Sequence, residues 1–321
     1  MHCELVVPGL FRGGAAPRCA ALELLLARGR SRAKAAQPLE GWIQEAFELS
    51  EGTFPAGALT LLACGGDPGD GWWTRADPVH LRVMRDHLVV VPGESFDLSR
   101  EEADALCTAL NRHFPGLNLT AAEPRRWCAM VSEALSLDGG SALDSVGQEA
   151  DPPAKAAPLL TELQMALHGH PVNEAREARG EPAVNSVWLW GAGRAPRSSC
   201  PWQSVAADDP TIIGAARLAG ARHRALPPSA REWLERLPED GRHLGVLDAL
   251  RAPLALEKDV QTERLVLERD WFEPLLAALR NGGIGMLTLH VPDGAEALSF
   301  EIIRGDLRRF WRLPKSIERY A

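Results

Sequence analysis

Short apolar segments alternate with amphipathic helical segments at both ends of the chain, and this alternation restricts the possible folds most. Residues 20–28 are rich in alanine and leucine, and residues 39–47 place their apolar side chains on one helical stripe. Near the carboxyl end, residues 285–291 and 298–303 flank the turn Pro292-Asp293-Gly294, which is a hairpin pattern. Strands that alternate with helices indicate an α/β protein.

Between these ends, further strands and helices are predicted. The predicted strands are residues 58–64, 87–91, 186–190 and 243–249. The predicted helices begin at Ser99, whose spacing to Glu102 forms a capping box, and at residues 159, 209, 229 and 271. Residues 138–158 are rich in Gly, Ser, Pro and Asp, which predicts a long surface loop.

Bulk composition excludes several classes of protein. The chain has 321 residues, enough for one large domain or two ordinary ones, and its net charge of -8 argues against general nucleic-acid binding. No apolar run approaches the roughly 18 residues of a membrane span, and no basic segment precedes an apolar one at the start, so we expect a cytoplasmic protein. The six cysteines lack C-x-x-C spacing, which favours reduced, buried thiols over a zinc ribbon or redox dithiol.

The most specific motif lies in the middle of the chain. It consists of His170-Pro171-Val172-Asn173-Glu174-Ala175-Arg176, then Gly180, Pro182-Ala183-Val184-Asn185 and Trp188-Leu189-Trp190-Gly191-Ala192-Gly193. It resembles the H-P-V-N-x-x-R-x-x-x-G-x-P-A-N-x-x-x-L-R-G-A-G stretch of archaeal-type, 2,3-bisphosphoglycerate-independent phosphoglycerate mutases. Arg75-Ala76-Asp77, the Ser99 capping box, Arg126-Trp127 and Asp151-Pro152 follow the same family order. The whole chain is also similar to bacterial proteins known as phosphoglycerate mutase-like or RpfE-type regulatory proteins.

This resemblance implies a fold and a domain organisation. Such mutases belong to the alkaline-phosphatase superfamily, so we expect a core sheet with helices on both faces, interrupted by a smaller α+β insert. The core domain would comprise residues 1–72 and 185–321, and the insert, similar to a substrate-binding domain, residues 73–184.

The resemblance also implies a two-metal site, for which this chain lacks clear ligands. The family ends its first strand with a metal-binding aspartate, whereas this chain has Pro8 there. The weak candidates for catalytic residues are Asp248, His290 and Asp293, while Asp209 before Pro210 is more simply a helix N-cap. We therefore expect no bound metal or other cofactor and a pseudoenzyme. The alternative is an active phosphomutase or phosphatase of the 2-/3-phosphoglycerate class that uses Mn or Mg.

In the mutases, arginines of the insert bind the phosphoglycerate, which suggests a binding site for a small phosphorylated or carboxylated ligand here. Guanidinium groups suit such ligands because they bond both oxygens at once. The candidate ligand-binding residues are Arg75, Asp77, His80, Arg126, His170, Asn173 and Arg176. Two simpler interpretations stay open: Arg176 lies on a solvated mixed-charge face, and His170 to Asn173 form a helix-ending turn. A different enzyme that reuses an arginine-lined insert is a third hypothesis.

The carboxyl-terminal segment, residues 304–319, is predicted to be a helix with aromatic and basic side chains. Leu307, Phe310 and Trp311 would share one face, with arginines around it. Such a segment docks on an acidic protein partner or packs on its own domain, and we favour packing. We expect no nucleic-acid or membrane partner. The sequence thus predicts a regulatory protein that binds an anionic ligand or a protein partner on a degenerate mutase scaffold.

Overall fold

The structure is a computed structural model that describes residues 1–50, 52–84, 88–132, 140–146, 156–238, 240–293 and 295–320. The chain forms two compact units: the core unit, Met1–Leu49 with Arg197–Ala321, and the insert unit, Ser50–Pro196. The sequence placed the unit boundaries after residues 72 and 184. In the structure, residues 50–72 and 185–196 lie in the insert unit instead.

Within the described residues the strands are β1 (His2–Val6), β2 (Arg30–Ala35), β3 (Trp72–Val83), β4 (Leu88–Pro92), β5 (Thr120–Glu123), β6 (Arg126–Val131), β7 (Ser186–Gly193), β8 (Ser204–Ala206), β9 (Arg222–Arg224), β10 (Arg242–Val246), β11 (Met286–Val291) and β12 (Glu296–Ile303). The helices are α1 (Ala20–Arg28), α2 (Leu39–Ala46), α3 (Ala56–Ala63), α4 (Arg100–His113), α5 (Ala157–Leu167), α6 (Pro171–Ala178), α7 (Pro210–Leu218), α8 (Ala230–Glu235), α9 (Arg251–Ala255), α10 (Gln261–Leu267) and α11 (Glu273–Asn281). None of the helices in this part of the chain is long and apolar enough to cross a membrane.

The core unit is built on a seven-stranded sheet with the order β2-β12-β11-β1-β10-β8-β9. β1 runs parallel to both β10 and β11, whereas β12 is antiparallel to β11 and to β2. On one face, Cys3 and Leu5 pack with α1, α8 and α11 in a single apolar cluster. On the other face, Trp42 of α2 lies against His290 of β11. The predicted α/β class, with helices on both faces of a central sheet, is confirmed.

The insert unit is an α+β structure around an antiparallel sheet. Its strand order is β4-β3-β6-β5, and β7 also pairs with β3. Side chains from α4 and α5 pack against this sheet around the fully buried Trp127. The capping box that begins α4 is present, since Ser99 accepts from the amide of Glu102 and Glu102 reciprocates.

Two local predictions were wrong. Residues 58–64 lie in or beside helix α3 rather than in a strand, and a Cβ on Gly57 would lie 2.4 Å from the Thr74 backbone, so this helix packs unusually close to β3. A short apolar run does not distinguish a buried helix from a buried strand. His170 begins α6 instead of ending a helix, and Gly191 to Gly193 belong to β7. Most of the predicted loop 138–158, including Asp151-Pro152, lies outside the described residues.

The carboxyl-terminal segment also differs from its prediction. It forms 3-10 turns at Arg304–Arg308 and Ile317–Tyr320, with no helix between them. Phe310 and Trp311 are 75% and 66% exposed instead of packed on the core unit. Pro314, which lacks an amide hydrogen and clashes with a preceding helical turn, opposes a continuous helix here.

Candidate functional site

Arg75, the first predicted ligand contact, lies inside the insert unit. Both it and Asp77 are on β3 and almost fully buried, and the Arg75 Nε donates to Asp77 Oδ1 at 2.9 Å. The Trp190 indole donates to the other Asp77 oxygen at 2.7 Å, and the Arg75 guanidinium lies 5.4 Å from the Trp190 ring centre. Asp77 thus supplies the charge that Arg75 requires, and ligand binding by this pair stays a prediction.

The H-P-V-N-x-x-R motif braces helix α6. His170 caps the helix by accepting from the Val172 amide, and Asn173 bonds both backbone groups of Val184 at 2.9 Å. Arg176 is fully buried; it donates to the Pro182 carbonyl at 2.9 Å and to Glu102 at 2.8 Å. The interpretation of Arg176 as part of a solvated face was therefore wrong.

His80 and Arg126 lie on β3 and β6 of the same sheet. The His80 Nδ1 is 2.8 Å from the Ala183 carbonyl, and Arg126 is half-buried and donates to Glu123 at 2.8 Å. The structure therefore places the predicted ligand residues in one unit, where each has protein partners.

The weak catalytic candidates lie in the core unit, at or near the carboxyl ends of its strands. Asp293 accepts from the Gly9 amide at 2.7 Å, and Asp209 caps α7 by accepting from the Thr211 amide at 2.8 Å. Asp248 follows β10, and His290 bonds Glu4 instead of Asp248 or Asp293. In the described ranges no group of three or more His, Cys, Asp or Glu side chains is placed to hold a metal ion. The residues present therefore do not fit the two-metal site of the mutases.

One face of the core sheet carries polar side chains where an apolar layer is usual. Glu4 is paired in register with Thr288, Thr288 with Glu301, and His290 with Ser299, so these polar residues lie side by side across three strands. Strands of parallel sheets are normally apolar on both faces because helices cover both. Along β1 the side chains alternate: Cys3 and Leu5 face the apolar cluster, and Glu4 between them does not.

Glu4 is the centre of this polar face. Only 3% of Glu4 is exposed, and its Oε1 accepts from Arg242 Nε and Nη2 at 2.9 and 2.7 Å. Its Oε2 lies 3.2 Å from His290 Nε2. His2 approaches from the other side, with Nδ1 3.8 Å from Glu4 Oε1 and Nε2 2.8 Å from the Thr288 hydroxyl. One buried carboxylate thus orients an arginine and two imidazoles.

These contacts shift the acid–base properties of the network. Burial raises the pKa of the Glu4 carboxyl, but the hydrogen bonds from His290 and Arg242 outweigh burial and lower that pKa to about 2. Burial lowers the pKa of His2, and Glu4 opposes this effect only in part. At neutral pH Glu4 is therefore ionised and paired with the Arg242 guanidinium, beside a neutral His2.

A pocket of about 340 Å³ opens on this polar face, and we refer to it as the sheet-face pocket. Its walls include Trp42 and Trp202, whose rings are stacked at 6.0 Å, and its floor includes Glu4 and His290. Arg32, Lys34, Arg242, Glu45 and Glu301 supply its charged lining. Trp202 is buried, and its indole nitrogen has no hydrogen-bond partner among the described residues.

A second, larger depression lies at the ends of β1 and β11. It has a volume of about 690 Å³ and is shallow, with Arg12 and Asp293 as its charged side chains. Arg12 Nη1 lies 3.5 Å from Asp293 Oδ2, so these two charges face each other. The sheet-face pocket is smaller but more enclosed and has more polar groups converging on it, which is typical of small-molecule sites.

His290 was predicted from the sequence, whereas the residues that surround it were not. The signal was the alternation in His2-Cys3-Glu4-Leu5 and in Leu287-Thr288-Leu289-His290, two strands of a predicted α/β sheet. Alternation in a strand that should be buried on both faces indicates a polar face. The indole and guanidinium groups come from distant parts of the chain, and no local pattern marks them.

The fold and this pocket define a mixed α/β protein that has an inserted α+β unit and a polar ligand-sized pocket on its central sheet. Neither a protein-family model nor a curated protein matches the sequence. The structure is similar to that of the PH0037 protein from Pyrococcus horikoshii, with a TM-score of 0.58 and 14% identity over 94% of this chain and 86% of that chain. A cofactor-independent phosphoglycerate mutase from Thermoplasma acidophilum DSM 1728 aligns with a TM-score of 0.46 and 16% identity over 99% and 93% of the two chains. The first similarity shows a shared fold; the second, below 0.5, carries no argument.

Proposed function

We propose that this chain is a phosphoglycerate mutase-like regulatory protein that binds a small anionic ligand in the sheet-face pocket and does not catalyse metal-dependent phosphoryl transfer. The family part of the proposal is supported by the motif from His170 to Gly193. The observation that carries the binding part is the pocket itself, in which aromatic walls enclose the network centred on Glu4.

The proposed loss of metal chemistry is supported by the hydrogen bonds that the acidic side chains at the strand ends accept from backbone amides. Metal ligands must converge and must leave their oxygens available to the ion. Asp293 accepts from the Gly9 amide, Asp208 from the Leu226 amide at 3.0 Å, and Asp209 from two amides of α7. These carboxylates hold loops and a helix in place, and Pro8 follows the first strand where the mutases have an aspartate.

The proposal that the ligand is anionic is supported by two basic side chains of the pocket, which can exchange their present acidic partners for a ligand. Arg32 and Lys34 line the pocket, and their side chains are 73% and 68% exposed. They pair with Glu301 and Glu45, and such exposed pairs contribute only about 0–1 kcal/mol, so a phosphate or carboxylate can replace either partner at little cost.

The test measures binding and turnover on the same preparation. 3-Phosphoglycerate and a panel of phosphorylated and carboxylated small molecules are titrated by calorimetry, with and without Mn²⁺. We expect saturable binding of at least one compound without the metal, weakened roughly tenfold or more by Arg32→Ala with Lys34→Ala. Arg222→Ala with Arg224→Ala, on the opposite edge strand, is the matched control and should leave binding unchanged.

Two results would contradict the proposal in different ways. Mn²⁺- or Mg²⁺-dependent interconversion of 2- and 3-phosphoglycerate, abolished by Asp248→Asn or Asp293→Asn, would establish the alternative enzyme. Binding that survives the Arg32 and Lys34 substitutions but is lost in Arg126→Ala would place the ligand in the insert unit instead.

A further inference from the structure

Strand β2 forms an open edge of the core sheet. It ends the strand order and pairs with β12, and each of its residues from Arg30 to Ala35 is exposed. The outer backbone amides and carbonyls of an edge strand have no partner within the sheet, which makes such a strand a template for another chain. Because alternate side chains of a strand point to opposite faces, this exposure shows that neither face of β2 is buried.

A group of large apolar side chains lies beside the start of this strand. Phe310, Trp311 and Leu313 are each at least 66% exposed, and the two aromatic rings contact each other edge to face at 5.3 Å. The segment is fixed in place, since Arg312 donates to the Gly29 carbonyl at 2.8 Å and Arg309 to the Arg28 carbonyl at 3.2 Å. Clustered apolar groups that stay exposed in a folded protein commonly mark an interaction surface.

The same surface has a charge opposite to that of the whole chain. Residues 30–36 and 304–316 together contain eight Arg and Lys residues and one acidic residue, Asp306, in a chain with a net charge of -8. Asp306 is buried and pairs with Arg309 and Arg30 at 2.7 and 3.7 Å, while Glu301 and Glu45 pair with Arg32 and Lys34. The excess positive charge of this surface therefore comes mainly from the carboxyl-terminal segment: Arg304, Arg308, Arg312 and Lys315. We refer to residues 30–36 and 304–316 as the basic edge.

We propose that the basic edge binds an acidic, extended polypeptide segment that pairs with β2 as an additional strand and places an apolar side chain against Phe310 and Trp311. The unpaired backbone favours a polypeptide over a nucleic acid or a lipid surface, because only a second peptide backbone offers both donors and acceptors at strand spacing. The basic side chains repel a second copy of β2 and attract a negatively charged strand. The basic edge and the sheet-face pocket share Arg32 and Lys34, so the variants that test this inference lie at positions outside the pocket.

The test uses defined probes on the full chain. Fluorescent peptides of about ten residues, alternating Glu or Asp with Val or Phe, are titrated by anisotropy. The same peptides with alternate amides N-methylated keep the charge but lose the donors for strand pairing. The variants are Arg30→Glu with Arg308→Glu, and Trp311→Ala; all three positions are exposed and lie outside the sheet-face pocket. Arg222→Glu with Arg224→Glu, on the opposite edge strand β9, is the matched control.

We expect saturable binding that weakens at least roughly tenfold on N-methylation and in the Arg30/Arg308 variant, and severalfold in Trp311→Ala, with the β9 control unchanged. Hydrogen exchange of the β2 amides should slow when the unmodified peptide is added. Failure of every peptide to bind at millimolar concentration would overturn the inference. Equal binding of the N-methylated peptides, or displacement by duplex DNA or anionic vesicles with no change in β2 exchange, would show a purely electrostatic surface and would also overturn it.

Discussion

Replacement of Glu4 by glutamine should destabilise the core unit by an amount that depends on pH. The pKa of Glu4 is lowered from 4.5 to about 2 in the folded protein. At about 1.4 kcal/mol for each pKa unit, the charged form of Glu4 contributes about 3 kcal/mol to the free energy of unfolding at pH 7. Because the folded pKa is the lower one, this contribution is complete above pH 4.5 and disappears as the pH falls towards 2. At pH 3 about half of it should remain.

The assay is urea denaturation followed by far-UV circular dichroism at pH 7, 5 and 3, for the wild type and Glu4→Gln. The difference between the two free energies of unfolding should be about 3 kcal/mol at pH 7 and 5, and about half of that at pH 3. Glu296→Gln, an exposed residue of β12 in the same sheet, is the control and should change stability by less than about 0.5 kcal/mol. A difference that stays constant from pH 7 to 3 would refute the role of the Glu4 charge.

Three further outcomes follow from other contacts. Asp77→Asn should destabilise the insert unit by about 3–5 kcal/mol in chemical denaturation, because it leaves the buried Arg75 without its counter-charge. Gly57→Ala should lower the free energy of unfolding by about 1–3 kcal/mol in the same assay, because its new methyl group would lie 2.4 Å from the Thr74 backbone. Gly116→Ala, whose methyl group would meet open space, is the control. Gly52→Ala is not suitable as a control because the φ of Gly52 is positive. Ellman's reagent should label the exposed Cys64 quickly in the native protein. It should reach the buried thiols, whose pKa values burial raises, only after urea is added: Cys3, Cys19, Cys107 and Cys128.

The parts of the fold that the sequence predicted are those determined by local chemistry. The capping box of Ser99, the N-cap of Asp209 and the hairpin of β11 and β12 each depend on a few neighbouring residues, and the structure contains all three. Helix α3 was mistaken for a strand because its apolar run shows neither the helical nor the strand period. Gly57 lets this helix pack closely on β3, since a Cβ there would lie 2.4 Å from the Thr74 backbone. That contact joins residues far apart in sequence.

The candidate site was harder to predict for the same reason. Arginine, histidine and asparagine of the H-P-V-N-x-x-R motif suggested ligand contacts, whereas in the structure Arg176 and Asn173 bond groups of their own unit. A sequence motif shows which residues occur together and does not show whether their polar groups face a ligand or the protein backbone. Burial decides between the two, and burial depends on tertiary packing.

The polar face of the sheet, with Glu4 at its centre, costs stability, and this cost indicates that the polar face has a function. Glu4 is buried whereas the side chain of its partner Arg242 is 45% exposed, and withdrawing the Glu4 charge from water has a desolvation cost that an apolar residue would not have. β1 lies between β11 and β10 at the centre of the sheet, where an apolar residue in place of Glu4 would extend the core on both faces. The chain instead holds a charge there, surrounds it with His2, His290 and Arg242, and leaves a pocket above it. We expect the double variant Glu4→Leu with Arg242→Met to fold but to lose ligand binding. If the arrangement served stability alone, the double variant would fold and would still bind the ligand.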